Sequence, residues 1–383
     1  MLSIFKKKYQ PAPDRPSLIE IEPTYSCNLR CIMCHVPTHS NKKPQFLDIR
    51  KLEEATKGFN DCHINLGSEY EPTIHPNFPD LLKLIVKRNW KVDFLSNATK
   101  FHLYDEKILR DIKFNIYQAS FDGYSKESFE YTRKDADFEL VKSNILKMAE
   151  IVKSNGSYTA INSTVVKSNL SESVDMIREW NKHGFDLVRL CIAQARSTDE
   201  EVLKEILLPY KDELFKTFKD IANDLVKNQM RIGVKNGYYG SKNFQKPENI
   251  FLHGATIFSK DTNYKILPEP RQDILDGPWP GMSVDCKSAF LYCRIRWDGY
   301  VDLCNRRDWV IGNIYENSLS EIWNGAKANK IRENIIKDVE GCKTCDYFNF
   351  CIKNREQDYN DDRSFFAAGV AQVPGIYDKV RNL

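Results

Sequence analysis

The sequence predicts a parallel α/β fold: a partial (β/α)6 barrel followed by a small α+β module. Three observations predict it. Between residues 17 and 193, short apolar runs alternate with segments of helical period six times, the pattern of a parallel sheet with crossover helices. The chain has 383 residues, 42% of them hydrophobic and 28% charged, which suits one large domain or two ordinary ones. Nine of its eleven cysteines fall into two groups, one towards each end.

The elements follow in order. "SLIEIEP" at Ser17–Pro23 reads as the first strand, and "LDIRKLEEATKGF" as a helix. "HINLG" at His63–Gly67 is a strand, and "FPDLLKLIVKRN" a helix with apolar residues at helical spacing. "KVDFLSN" is the third strand, followed by the short helix "YDEKILRDI". "NIYQASFD" is the fourth strand, and "FELVKSNILKMAEIVKSN" a long helix. "YTAINSTVV" is the fifth strand, and "SESVDMIREWNKH" a helix opened by a serine cap. "DLVRLCIA" at Asp186–Ala193 is the sixth strand. A charged helical stretch runs from Asp199 to Lys227. Glycine, asparagine and proline then break the pattern, with "PEPRQ" and "GPWPG" as loop signals. "LYCRIRWDGYVDLC" reads as a hairpin turning at Asp298–Gly299, and "SLSEIWNGAKANKIRENI" as a helix. The chain divides into an N-terminal tail at 1–16, the barrel at 17–235 and a linker with substrate-facing loops at 236–283. The cysteine module at 284–355 and a C-terminal tail at 356–383 complete it. With so short a segment before the first strand, no fused N-terminal peptide-recognition domain is expected.

Composition narrows the function classes. The net charge is only +3, which gives no electrostatic case for a nucleic-acid or membrane partner. "FKKK" at Phe5–Lys8 reads as a solvated terminus. The start "MLSIFKKKYQ" lacks the apolar stretch of a secretory signal. No apolar run reaches the roughly 18 residues of a transmembrane helix. A cytoplasmic placement is therefore expected. In that reducing compartment, clustered cysteines point to metal binding or catalysis rather than disulfides.

The first group, "CNLRCIMC", places Cys27, Cys31 and Cys34 in the loop directly after the first strand. At that end of a parallel barrel chemistry is usually found. Three thiolates are one short of a closed structural zinc site. They suit a cubane iron–sulfur cluster whose remaining iron stays open for an exogenous ligand.

This Cys-x3-Cys-x2-Cys pattern, placed after the first strand of a six-unit α/β chain, resembles the radical S-adenosylmethionine (radical SAM) enzymes. The resemblance implies that Cys27, Cys31 and Cys34 hold a [4Fe–4S] cluster with SAM at the open iron. It implies reductive cleavage of SAM to methionine and a 5′-deoxyadenosyl radical, which abstracts a hydrogen atom from the substrate. It also implies an electron donor such as flavodoxin or ferredoxin. Met33 stands where the family often has an aromatic residue beside the adenine. "GSEYEPTIHP" stands where the family has Gly-Gly-Glu-Pro, whose Glu receives the SAM amino group. The "EP…HP" register favours Glu71, and the Glu69-Tyr70 pair in place of Gly-Gly keeps Glu69 as the alternative. Ser120 of "SFDG" and Arg133 of "YTR" match residues that bind the SAM carboxylate. Asn97 of "SNAT" matches either a SAM or substrate contact or a turn residue.

Cys286 and Cys304, then Cys342-x2-Cys345-x5-Cys351, with "GNIYENSLSEIWN" between them, resemble the C-terminal SPASM extension of radical SAM enzymes, which carries auxiliary [4Fe–4S] clusters. Arg355 stands where the family has a further cysteine, and this module holds six in all, too few for two four-cysteine clusters. The resemblance implies one auxiliary cluster on Cys286, Cys304, Cys342 and Cys345, as in shorter SPASM/twitch relatives. Cys293 and Cys351 are then spare, or one replaces Cys286. Two incompletely ligated clusters, and a zinc ribbon on the same four cysteines, remain open.

The substrate expected from the resemblance is a peptide or a polar, sugar-like small molecule, oxidised or newly bonded at an unactivated carbon. The alternative is a radical epimerase in which Cys191, near the end of the sixth strand, donates the hydrogen atom. Against that, Cys191 also reads as a buried packing residue, as does Cys62. The reading of another class is a non-catalytic Fe–S redox sensor or scaffold. The aromatic loops "NGYYGSKNF" and "GPWPG" are candidates to line a pocket, or simple packing.

Overall fold

A computed structural model describes residues 12–34, 43–193, 200–207, 210–228, 230–236, 256–257, 288–304 and 309–337. The barrel opens with β1 (Leu18–Ile21), α1 (Ile49–Ala55), β2 (His63–Leu66), α2 (Phe78–Lys87) and β3 (Lys91–Ser96). It continues with α3 (Glu106–Asp111), β4 (Lys113–Ser120), α4 (Lys126–Thr132), α5 (Phe138–Ser154), β5 (Tyr158–Val165), α6 (Ser173–Lys182) and β6 (Leu187–Ile192). Next come α7 (Glu200–Leu203), α8 (Lys211–Lys227), β7 (Gly233–Asn236) and β8 (Thr256–Ile257). The C-terminal part holds α9 (Ser288–Leu291), β9 (Tyr292–Ile295), β10 (Tyr300–Asp302), β11 (Val310–Asn313), α10 (Leu319–Asn324) and α11 (Ala326–Lys337).

The described strands form one sheet in the order β11-β10-β9-β1-β2-β3-β4-β5-β6-β7-β8. Strands β1 to β7 run parallel in sequence order, so the six expected β/α units are present. β1 does not meet β6; it pairs with β9, and β6 pairs with β7. The barrel is therefore partial. Two features depart from the expected pattern. β9 lies parallel to β1, with Leu18 opposite Tyr292 and Ile19 opposite Cys293, so the C-terminal hairpin extends the barrel sheet. The single helix expected from "SLSEIWNGAKANKIRENI" is two, broken at Gly325, whose extended backbone (φ −68°, ψ 160°) ends α10.

Local chemistry explains the elements. Asp48, Asp105, Ser125, Asp137 and Ser318 cap helices by accepting backbone N–H bonds in the first turn. α2 starts with a proline near its N-terminus and buries Phe78, Leu81, Leu82, Leu84 and Ile85 on one stripe. Burying one such side chain stabilises the fold by about 1.5–3 kcal/mol. The hairpin β9–β10 turns at Gly299, as expected. Its φ of +80° suits glycine, and a Cβ there would strike the Asn313 and Tyr315 side chains.

Each parallel strand points one set of side chains at the helices and the other at the inner face. On β1, Ile19 and Ile21 join the helix-side core, while Glu20 and Glu22 take the opposite face. The same alternation gives an inner face carrying Asn65, Asp93, Gln118, Ser120, Asn162, Arg189 and Arg294. The loops at the C-terminal ends of the strands lead from that face, and they carry the candidate site.

Candidate active site

The loop after β1 is tied down on several sides. Glu71 N–H donates to the Ser26 carbonyl at 3.2 Å, and Thr24 Oγ1 donates to the Glu71 carbonyl at 3.2 Å. Further along, Arg30 N–H donates to the Lys134 carbonyl and Ile32 N–H to that of Thr132, both at 3.0 Å. Arg30 adds a fork to Asp135. Cys27, Cys31 and Cys34 are part-buried on this pinned loop. Leu29 N–H and Asn97 Nδ2 both donate to Cys27 Sγ, at 3.4 and 3.5 Å. Burial pushes the Cys27 thiol up to about 12, with the nearby Glu71 charge adding to it. Burial also pushes Cys31 up to about 12, opposed by Arg133. Thiols in such a place need a bound cation to persist as thiolates.

The donor set suits an iron–sulfur cluster. Among the described residues, no three His, Cys, Asp or Glu side chains converge on a single metal ion. A cubane does not ask for that, since each thiolate takes its own iron. The N–H groups aimed at sulfur are the kind of contact that tunes such clusters.

Buried carboxylates fix the neighbouring loops. Glu71, 3% exposed, accepts from Thr73 N–H at 3.1 Å, Thr73 Oγ1 at 2.6 Å, Ser96 Oγ at 2.8 Å and Asn97 N–H at 2.7 Å. Glu69 is different. Its backbone N–H donates to Glu22 at 2.8 Å, its side chain is part-exposed, and Arg294 Nη1 lies 4.0 Å away. Gly67, which opens this loop, has φ +79°, and a Cβ would strike the Leu95 carbonyl.

Asn97 uses its polar atoms inside the protein. Its Nδ2 reaches Cys27 and Asn28, and its Oδ1 accepts from Thr99. Ala98 follows with φ +61°, so the segment is a turn that also touches Cys27. Met33 lies in the turn between Cys31 and Cys34, half-buried. Ser120 ends β4 on the inner face. Arg133 caps the C-terminus of α4 and is buried. Its guanidinium meets Asp122 at 2.8 Å. Burial opposes its charge, but Asp122 and the thiolate positions of Cys31 and Cys27 hold its pKa raised.

Sequence reasoning missed Asp122, Glu20, Glu22, Arg294 and Asp302. Asp122 is fully buried, and Thr164 N–H donates to it at 2.5 Å. Glu22 Oε1 accepts from Ser68 and Glu69 N–H at 2.7 and 2.8 Å. Arg294 donates to Asp302 at 3.1 Å. The available signal was the "LIEIE" alternation, which sets two carboxylates on one face of a strand buried on both sides.

Three rings join the two parts of the chain. Tyr25, two residues before Cys27, stacks on Trp297 at 4.3 Å, and Tyr70 lies 5.0 Å from Tyr25 and 5.1 Å from Trp297. Aromatic contacts of this kind fix the β9–β10 hairpin over the cysteine loop. Cys304 lies part-exposed just after β10. Cys293 is fully buried in β9, where burial pushes its thiol up. Cys286, Cys342, Cys345 and Cys351 lie outside the described residues, as do "NGYYGSKNF" beyond Asn236 and "GPWPG". Cys191 is part-exposed on β6, opposite Thr164. Cys62 precedes β2, at the other end of the strands.

The sequence matches the radical SAM superfamily over residues 21–208 and the SPASM iron–sulfur cluster-binding domain over 286–346. The chain belongs to the radical SAM superfamily and carries a SPASM domain. These domains imply a [4Fe–4S] cluster with SAM, and auxiliary iron–sulfur ligation in the SPASM part. Streptococcus suis SuiB bound to precursor peptide SuiA superposes with a TM-score of 0.56 at 14% identity, over 87% of this chain and 70% of that one. The anSMEcpe protein with bound AdoMet gives a TM-score of 0.55 at 20% identity, over 96% of both chains. A "tungsten-containing aldehyde ferredoxin oxidoreductase cofactor-modifying protein" of Pyrococcus furiosus is 30% identical over 95 residues. That match spans 24% of this chain and 26% of the relative. Among the described residues, no helix is long and apolar enough to cross a membrane.

Proposed function

We propose that this enzyme takes a hydrogen atom from an unactivated carbon of a peptide or polar small-molecule substrate, leading to oxidation or bond formation. The observation that carries the proposal is the pinned Cys27/Cys31/Cys34 loop, opening onto a polar inner face at the C-terminal ends of the parallel strands. When bound, the cluster and SAM supply one-electron reduction and a carbon radical able to attack a C–H bond.

The chain's own residues do the positioning. Cys27, Cys31 and Cys34 hold the irons, and the Leu29 and Asn97 N–H groups steady the Cys27 sulfur. We assign Glu71 to holding the loops, because four protein donors already occupy it. Glu69, part-exposed on the same loop, is the carboxylate left to meet the SAM ammonium. Ser120 and Arg133 would meet the SAM carboxylate, with Asp122 setting the guanidinium. Met33 would pack beside the adenine. Cys286, Cys304, Cys342 and Cys345 would hold the auxiliary cluster. A flavodoxin or ferredoxin would deliver the electron, in the reducing cytoplasm that eleven cysteines favour.

Peptides are the favoured half of the substrate class, since SuiB and anSMEcpe are both described with bound peptides. The test is anaerobic reconstitution, reduction and addition of SAM. Release of 5′-deoxyadenosine is expected, and the triple Cys27/Cys31/Cys34→Ala variant should release none. Undiminished release from that variant would refute the assignment.

A further inference from the structure

Three adjacent parallel strands carry one polar row across the inner face. Ser120 on β4 is directly opposite Asn162 on β5, and Asn162 is opposite Arg189 on β6. Neighbouring strands lie about 4.8 Å apart, so the row is a continuous ladder. Arg189 belongs to the inner face because Val188 and Leu190, its neighbours on β6, are 0% and 2% exposed in the helix-side core.

Two of these groups are unspent. Among the described residues, neither the Ser120 hydroxyl nor the Arg189 guanidinium has a hydrogen-bond or ion-pair partner. Asn162 donates to Gln118 at 3.4 Å, but its Oδ1 is buried with no partner. Arg189 is neither buried nor fully exposed, so a ligand can reach it. The other arginines in and beside the inner face are paired: Arg133 with Asp122 and Arg294 with Asp302. A half-buried guanidinium with no counter-charge is costly unless something supplies one.

We infer that Arg189 is a specificity residue that grips a carboxylate of the substrate, with Asn162 beside it holding a neighbouring donor group. The fork of a guanidinium fits the two oxygens of a carboxylate. Cys191 lies two residues further along the same face, about 6.6 Å at strand rise. Gripping at Arg189 therefore sets a fixed depth for the substrate below the strand ends. This assignment rests on the reading of the site as a SAM-dependent one, since it places substrate rather than SAM on β6.

The test uses the full-length, reconstituted protein with saturating SAM and follows phenylglyoxal modification of Arg189 by peptide mapping. Exposed Arg231 serves as the internal control. N-acetylglycine supplies the carboxylate, and N-acetylglycinamide is its neutral counterpart. Expected is labelling of Arg189 in the SAM-loaded protein, slowed about tenfold by N-acetylglycine, the scale of one charge-assisted contact, and unchanged by the amide. Asn162→Asp places a carboxylate one strand away. It should slow Arg189 labelling without any probe and erase the N-acetylglycine effect. Protection by SAM alone would move Arg189 to the SAM carboxylate and overturn the inference. So would equal protection by inorganic phosphate, or none by N-acetylglycine. The labelling does not depend on SAM turnover, so a lack of 5′-deoxyadenosine counts against the enzyme reading and a lack of protection against this one.

Discussion

The Glu71 carboxylate accepts the backbone N–H of Asn97 at 2.7 Å, and the Asn97 side chain in turn donates to Cys27 Sγ at 3.5 Å. One buried acid on the loop after β2 thus fixes the turn after β3, which touches a cysteine on the loop after β1. The arrangement repeats. Glu22 at the end of β1 holds the loop after β2 through Ser68 and Glu69. Asp122 after β4 holds Thr164 on β5. Each carboxylate bridges the C-terminal end of one strand to that of another, so the mouth of the open barrel keeps its shape without a closing strand pair.

Glu71→Ala should loosen this mouth. It leaves Ser96, Thr73 and Asn97 donors in a buried place with no acceptor. Each orphaned group costs about 1–3 kcal/mol. Urea unfolding of the protein should show a loss of at least about 2 kcal/mol. SAM affinity, measured by calorimetry on the reconstituted protein, should fall with it. An unchanged midpoint would show that water takes over the role of the carboxylate.

Much of this was legible in the sequence, and the part that was not has a physical cause. Strands β1 to β6 showed as apolar runs cut by glycine and cap residues. The Cys27/Cys31/Cys34 loop showed by its spacing and its place after the first strand. Glu71 was singled out, by its register before Pro72, as the SAM-ammonium contact rather than as a brace; its four donors come from two segments, and no local pattern announces such convergence. Asp122 stood inside a quoted stretch, yet its partner Arg133 is brought to it only by the turn of α4. β7 has four residues, "GVKN", too few to show a period. The pairing of β9 with β1 joins opposite ends of the chain, which periodicity does not reveal.

Asp122 carries a second expectation. Asp122→Ala leaves Arg133 buried without its counter-charge, a change that costs about 3–5 kcal/mol. Asp122→Asn keeps an acceptor for Thr164 N–H but loses the charge. It should fold, retain its iron and bind SAM more weakly. Iron content and SAM titration on the same preparation separate the two effects. Loss of iron with intact SAM affinity would assign the pair to the cysteine loop instead.

Glu22 makes the stability of the protein depend on pH. Burial, with the charge of Glu20 adding and that of Glu69 following, holds its carboxyl well above the ordinary value of 4.5. The unfolded chain therefore ionises first as pH rises. Stability is full below about pH 4.5 and falls as pH climbs through the raised folded value, by up to about 1.4 kcal/mol per unit. Glu22→Gln keeps the acceptor for Ser68 and Glu69 N–H and removes the charge. Its Tm should exceed that of the parent by a margin that widens from about pH 5 to pH 8. A constant difference across that range would be incompatible with a raised Glu22. Glu20, Glu71 and Asp122, raised by burial in the same way, leave the variant some residual slope.

Cys293 and Cys304 should part company on metal analysis. Cys293 is fully buried in β9, beside Ile19 on the helix side of the sheet, whereas Cys304 is part-exposed just past β10. The reconstituted protein should carry about eight irons, four per cluster. Cys304→Ala should lose the auxiliary half and keep the SAM-dependent spectral change, while Cys293→Ala keeps all its iron. Iron loss in Cys293→Ala would place that residue in the ligand set and force the hairpin to rearrange.

The fate of the substrate radical can be read at Cys191. Two outcomes follow removal of a hydrogen atom from carbon. Either the substrate loses a further electron, giving an oxidised or newly bonded product with SAM consumed once per turnover. Or a thiol returns a hydrogen atom, giving an epimer at the same oxidation level. Cys191 has the right address for the second route, part-exposed on the inner face two residues beyond Arg189. Yet position alone is also what a small packing residue shows. We favour the first route, because the SPASM domain implies an auxiliary iron–sulfur cluster, and clusters of this kind can take up an electron. Turnover in D2O with mass spectrometry of the product decides. The expected product has lost hydrogen and gained no carbon-bound deuterium, and Cys191→Ala should leave it unchanged. A product with one carbon-bound deuterium, no net loss of hydrogen and dependence on Cys191 would establish the epimerase route instead.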